Sequence, residues 1–164
     1  TDLGDAEGPT RVEEQPPDME PPDECINMAD AMGPAFEIHN HIDLRLTPDS
    51  AAWARREQGE FARFKVWTGL ADGRDPDPIA MMFYADALPP PFFNVLGMVG
   101  AAPTLELTVH VRDLPAPGML RGRFRNRYII NGFFEEDGEI WDSEGKLVAL
   151  SRQVGRIMSR GPQR

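Results

Sequence analysis

One segment limits the folds open to this chain more than any other: the apolar run PIAMMFYADAL, Pro78 to Leu88, closed by Pro89, Pro90 and Pro91. Asp75 or Asp77 can cap its start, and Pro78 suits a first helical turn. Ile79, Met82 and Phe83 fall on one side of such a helix, and Met81, Tyr84 and Leu88 on the other. A helix apolar nearly all round has to be surrounded by protein. The prolines stop it, because they lack N–H donors and clash with the preceding turn. PFFNVLGMVG, which follows, reads as a short second helix or an apolar loop. Asp86 is the one carboxylate in the run. A buried charge is costly unless it is paired, hydrated or used.

What surrounds the helix has a period of two. In FEIHNHIDLRL, residues 36–46, one face carries Phe36, Ile38, Ile42, Leu44 and Leu46, with Asn40 interrupting. The other carries Glu37, His39, His41, Asp43 and Arg45, as in a half-buried strand. EFARFKVWTGL, residues 60–70, reads as a second strand. TLELTVHV alternates Leu105, Leu107, Val109 and Val111 against Thr104, Glu106, Thr108 and His110. A long strand is expected from Met119 to Glu135, then a turn at EEDG. EIWD and KLVALSRQVGRIM make a hairpin around DSEG, where Gly145 supplies a positive φ. The order β-β-α-β-β-β-β predicts an α+β fold: one buried helix against five or six mostly antiparallel strands. The chain contains no internal repeat.

The charge of −10 is unevenly spread over the 164 residues. Residues 1–33 hold ten acids and one base, Arg11, whereas the remainder is nearly balanced. With Pro9, Pro16, Pro17, Pro21, Pro22 and Pro34 and few large apolar residues, residues 1–34 read as an acidic arm or linker that cannot fold alone. It either wraps a neighbouring domain or chain or stays an extended tail. Residues 35–160 form the domain. At 41% apolar the chain can build a core, and its balanced body is not that of a nucleic-acid binder. No run of about 18 apolar residues predicts a membrane span. The acidic start does not read as a signal peptide, and an initial Thr1 marks a processed chain or a piece of a longer one. Cys25 is the only cysteine and cannot form an internal disulfide, which fits a reducing, cytoplasmic setting. No local base or histidine activates it.

The order strand, strand, buried helix, then a meander of strands resembles the hot-dog fold, in which a sheet wraps one central helix. More closely, residues 35–158 resemble the C-terminal half of type II acyl-CoA thioesterases and their thioesterase-like relatives. YADAL at the helix end, APTLELTVHV opening the next strand and LVALSRQVGRIM in the last strand carry the resemblance. It implies a hydrolytic water held by an Asp, a Thr or Ser, and a Gln, which fall here on Asp86, Thr104 and Gln153. Asp86 lies seven, four and three residues after Ile79, Met82 and Phe83, so it projects from an apolar helix face. Such a carboxylate can take a proton from water, while a hydroxyl and an amide aim that water. Backbone N–H groups are the expected donors to the oxyanion. The implied reaction is hydrolysis of a fatty acyl thioester, with coenzyme A as part of the substrate and no other cofactor. Phe92, Phe93, Val95, Leu96 and Met98 border an acyl tunnel or simply pack in the core. Relatives of this kind carry two hot-dog halves, so a homo-oligomer or a second half is the expected partner.

Other readings stand beside this one. Asp86 can instead cap PPFFNVLG or bind a local N–H, and the prolines can displace its carboxylate. The same fold also serves as an acyl-binding or scaffolding subunit without turnover, or as a hydratase. A hydratase calls for a His near the helix, and none occurs between His41 and His110. His39 and His41 on one strand face could ligate a metal, but no third ligand is evident and a solvated face explains them better. Arg121, Arg123, Arg125 and Arg127 line a face that can meet coenzyme A phosphates or the acidic arm, or serve as a charged surface that resists aggregation. No phosphate loop, dinucleotide fingerprint or nucleophile elbow is present.

Overall fold

The computed structural model describes residue 3, residues 7–33 and residues 37–159. Its centre is an antiparallel sheet built from β1 (Ile26–Asn27), β2 (Ile42–Leu46), β3 (Arg63–Leu70), β5 (Thr104–Val111), β6 (Leu120–Arg125), β8 (Phe133–Trp141) and β9 (Leu147–Arg156). The spatial order is β1-β2-β3-β6-β8-β9-β5, and β7 (Ile129–Ile130) pairs only with β8. β4 (Gly100–Ala101) and β10 (Met158–Ser159) form a separate two-stranded pair. Three short helices complete the fold: α1 (Met28–Met32), α2 (Ala80–Asp86) and α3 (Phe93–Leu96).

Period two sets the inner face. Ile42, Leu44 and Leu46 of β2, Phe64 and Val66 of β3, Leu120 and Phe124 of β6, and Phe134 and Ile140 of β8 are all buried. Met81, Tyr84 and Ala85 bring α2 onto that core. Two glycines leave room for aromatic rings. A Cβ on Gly155 would stand 2.3 Å from Cζ of Phe134, and one on Gly138 would stand 2.5 Å from Cε1 of Phe124. Phe134 in turn packs on Phe92, with ring centroids 4.9 Å apart. Asn126 locks the proline-rich turn to the sheet. Its Oδ1 accepts from the Phe92 N–H at 2.7 Å, and its Nδ2 donates to the Glu135 carbonyl at 2.8 Å.

Several expectations are corrected. The helix is Ala80–Asp86, shorter than 78–88; Asp77 caps it, accepting from the N–H groups of Ile79 and Ala80 at 2.8 Å each. It is not surrounded on all sides, because Ile79 is 75% and Met82 55% exposed. The first strand is shorter than 36–46. Phe36 lies outside the described residues, and Glu37–Asn40 form a 3₁₀ turn. The reason is the partner strand: β3 ends at Leu70, opposite Ile42, so residues before Ile42 have nothing to pair with. His39 and His41 therefore do not share a strand face.

The expected strand from Met119 to Glu135 is two strands, and EEDG is not a turn. Glu135 to Gly138 run through the middle of β8, paired with β9 from Val154 to Ser151. The chain reverses instead at Asn131 and Gly132, with φ of 53° and 78°, between β7 and β8. Asn-Gly favours that tight hairpin because both residues tolerate positive φ. Gly138 is a glycine for packing against Phe124, not for turning.

The arm rests on the outer face of the sheet. Trp67 donates its indole N–H to the Glu20 carbonyl at 2.8 Å, Lys65 reaches the Asp18 carbonyl at 2.5 Å, and Arg123 pairs with Glu14 at 3.0 Å. Ile26–Met32, acidic-arm residues by composition, fold against the body, and Met28 is fully buried. The arginine series is largely partnered: Arg123 with Glu139 and Glu14, Arg127 with Asp137, and Arg121 over Trp67.

Candidate active site

Three elements bring Asp86, Thr104 and Gln153 together. α2 ends at Asp86, β5 begins at Thr104, and Gln153 projects from the inner face of β9. The Gln153 Nε2 donates to Asp86 Oδ1 at 3.0 Å and to Thr104 Oγ1 at 2.5 Å. The Thr104 hydroxyl donates in turn to Asp86 Oδ1 at 3.4 Å. Each donor therefore has a defined acceptor, and both lead to the carboxylate. Among the described residues, Asp86 bonds to side chains 18 and 67 positions away rather than to an N–H of the next turn.

The environment differs from the expectation in one respect. Asp86 and Thr104 are exposed and only Gln153, at 8%, is buried. The site is open on the side where β5 forms the edge of the sheet and Ile79 and Met82 of α2 face solvent. The apolar helix face thus gives Asp86 no cover within this chain.

An apolar cavity of about 300 Å³ is lined by Ala87, Leu88, Pro89 and Pro90, which follow Asp86 directly in the chain, with Met28 and Ala101 among the other lining residues; Asp86, Thr104 and Gln153 are not part of its lining. Of the five residues expected to border an acyl tunnel, Phe93 and Met98 line this cavity. Phe92 is core, and Val95 and Leu96 line a different, open depression beside Trp53.

Sequence reasoning missed Glu136. It is 3% exposed on the inner face of β8, directly opposite Gln153 in the register. Burial, and then the charge of Asp86, push its carboxyl up to about 8, against a lowering hydrogen bond from Asn126. Its Oε2 has no hydrogen-bond partner among the described residues. The signal was present: Phe134, Glu136, Gly138 and Ile140 alternate with period two, but reading EEDG as a turn hid it.

The remaining candidates carry little chemistry. Burial, with Glu20 next, pushes the Cys25 thiol up to about 11, so it stays protonated rather than nucleophilic. Among the described residues, no group of three or more His, Cys, Asp or Glu side chains could hold a metal ion. No described helix is long and apolar enough to cross a membrane.

Known proteins match this chain at the level of sequence and of fold. A family model described as the acyl-CoA thioesterase C-terminal domain matches residues 21–157. An uncharacterized protein of Mycobacterium tuberculosis is 34% identical over 138 residues, 84% of this chain and 47% of that protein. The chain thus spans about half the length of the curated relatives it matches. A crystal structure from Thermobifida fusca, provisionally described as a thioesterase II, superposes with a TM-score of 0.77 at 32% identity, over 92% of this chain and 57% of that one. A hot-dog protein of unknown function from Alicyclobacillus acidocaldarius gives 0.78 at 22% identity, over 95% and 59%. The fold is therefore the hot dog.

Proposed function

The chain belongs to the acyl-CoA thioesterase C-terminal domain family, and from that premise we propose that Asp86, Thr104 and Gln153 hold and activate the water that hydrolyses an acyl-CoA thioester. The observation that carries the reading is the double hydrogen bond of Gln153 Nε2, to Asp86 at 3.0 Å and to Thr104 at 2.5 Å. A water bound there loses a proton to Asp86 as its oxygen attacks the thioester carbonyl. The Thr104 hydroxyl and the Gln153 amide aim it. The tetrahedral oxyanion collapses, the carbon–sulfur bond breaks, and the leaving thiolate takes the proton from Asp86. A carboxylic acid and free coenzyme A result. The apolar cavity after Asp86 suits the acyl chain.

The test is thiol release from a series of acyl-CoAs. Asp86→Asn should lower kcat by about a hundredfold or more while the fold persists. Unchanged turnover in a folded Asp86→Asn variant would remove Asp86 from the mechanism.

One observation favours a second reading. Asp86 and Thr104 are exposed in this chain, so the site lacks a cover. In that reading the chain is an acyl-binding or scaffolding hot-dog subunit whose turnover requires a second half, a further copy or a separate segment, along β5. Acyl-CoA binding without thiol release, with release restored by adding the other half, distinguishes it.

A further inference from the structure

Two carboxyls among the described residues are buried and are treated in opposite ways. Asp142 is 0% exposed, and both its oxygens are used. Oδ1 accepts from the N–H groups of Glu144 and Lys146, and Oδ2 from that of Ala116. Backbone donors thus satisfy both oxygens of that buried carboxyl. Glu136 is 3% exposed, yet its Oε2 has no donor. It lies on the face shared with Phe134 and Ile140, with the Phe124 and Phe134 rings filling the space over the neighbouring glycines. Asn126 gives the carboxyl one hydrogen bond, so an ionised Glu136 would still bury an oxygen without a donor, which is unfavourable; a protonated one has a hydrogen to give.

The register shows where that hydrogen can go. Glu136 and Gln153 are direct cross-strand partners on the same buried face, which brings their Cβ atoms to within about 5 Å. Gln153 uses its Nε2 on Asp86 and Thr104. Its amide oxygen is an acceptor and must face another way. If the amide were reversed, that oxygen would confront the Asp86 carboxylate.

We propose that Glu136 is a positioning residue: in its protonated form it donates to the Gln153 amide oxygen and so holds Nε2 toward Asp86 and Thr104. The inference rests on the reading of those three residues as the water site. Glu136 touches no substrate and acts only through Gln153. The groups acting on it are Asp86 from α2, Asn126 from the segment after β6, and Asp137 from its own strand; Asp137 itself is tied to Arg127 and Arg152. No cation is among the groups that act on Glu136 itself. When Glu136 ionises, the amide oxygen loses its donor and a second negative charge faces Asp86, so the constellation loosens.

The test uses the full chain and two independent readouts. The first is the side-chain amide resonance of Gln153, followed by ¹⁵N–¹H correlation as pH rises. It should shift with a midpoint near about 8 in the wild type and stay put in Glu136→Gln. The second is turnover. Glu136→Leu should lower kcat by about tenfold to a hundredfold with KM little changed. Glu136→Gln, which keeps a neutral donor, should recover most of that loss and remove the alkaline fall in kcat. A Gln153 resonance that does not titrate, or a folded Glu136→Leu variant with wild-type kcat, overturns the proposal. An Asp86→Asn variant in the same series separates the two questions. Its retained activity would sink the water-site reading alone, while the Gln153 titration reports on Glu136 even where no variant turns over.

Discussion

Asp86, Thr104, Gln153 and Glu136 show how differently residues are legible in a sequence. The first three were marked by the resemblance to the thioesterase family, at a helix end, a strand start and the last long strand. Their types are those that can take a proton and aim a water. Glu136 looked like part of a charged turn, EEDG, and that reading masked the alternation with Phe134, Gly138 and Ile140 that places it on the inner face. Its burial has a thermodynamic signature. Below about 4.5, native and unfolded chains both hold its proton; between there and about 8 only the native chain does. The native state then binds more protons, so this group makes stability fall as pH rises through that window, with no further loss above it. Thermal unfolding should therefore give a lower midpoint near about pH 8 than near about pH 5. Glu136→Gln should flatten the difference, and an unchanged difference would mean that Glu136 titrates normally.

At the scale of elements, the strands expected at Thr104–Val111 and in the last segment form as β5 and β9, and the alternation in β5 holds from Leu107 onward, while Leu105 is exposed. The errors fell where an element depends on a neighbour. Glu37–His41 alternates like a strand, but β3 offers it no partner beyond Leu70. Asn131-Gly132 was a stronger turn signal than EEDG, and it marks the actual reversal. The inner-face glycines give this scale its prediction. In Gly155→Ala the new methyl meets the Phe134 ring at 2.3 Å, and that ring already packs on Phe92. The ring cannot withdraw freely, so the variant should lose about 1 to 3 kcal/mol in chemical denaturation. A loss below about 0.5 kcal/mol would show that the aromatic layer yields.

At the scale of the molecule, the chain spans 47% of the length of its curated relatives, and its sheet ends in β5, an edge that carries Thr104 of the candidate site. Leu105 at 59%, Met82 at 55% and Ile79 at 75% exposure lie beside that edge and on the helix next to it. Apolar residues grouped on an open edge invite a further strand. We propose that a second copy pairs there and covers Asp86. Light scattering should then give twice the chain mass, and Leu105→Glu combined with Met82→Glu should halve it. A monomer at all concentrations would assign the edge to a different half.

What the sequence determined by itself was local. The helix forms because its apolar residues recur at helical spacing, and it stops because three prolines lack N–H groups. Strands β2, β3, β5 and β9 exist because period two places one side chain in the core and the next outside. The resting place of the arm was not legible, because Lys65 and Trp67 hold it through the carbonyls of Asp18 and Glu20, groups that any residue carries. Only the tertiary structure decided that Gln153 meets Asp86 across 67 positions, that Glu136 lies buried opposite it, and that β5 is left as an edge. Periodicity is a property of one strand. Register and strand order arise between strands, and they alone fix which polar group ends beside which.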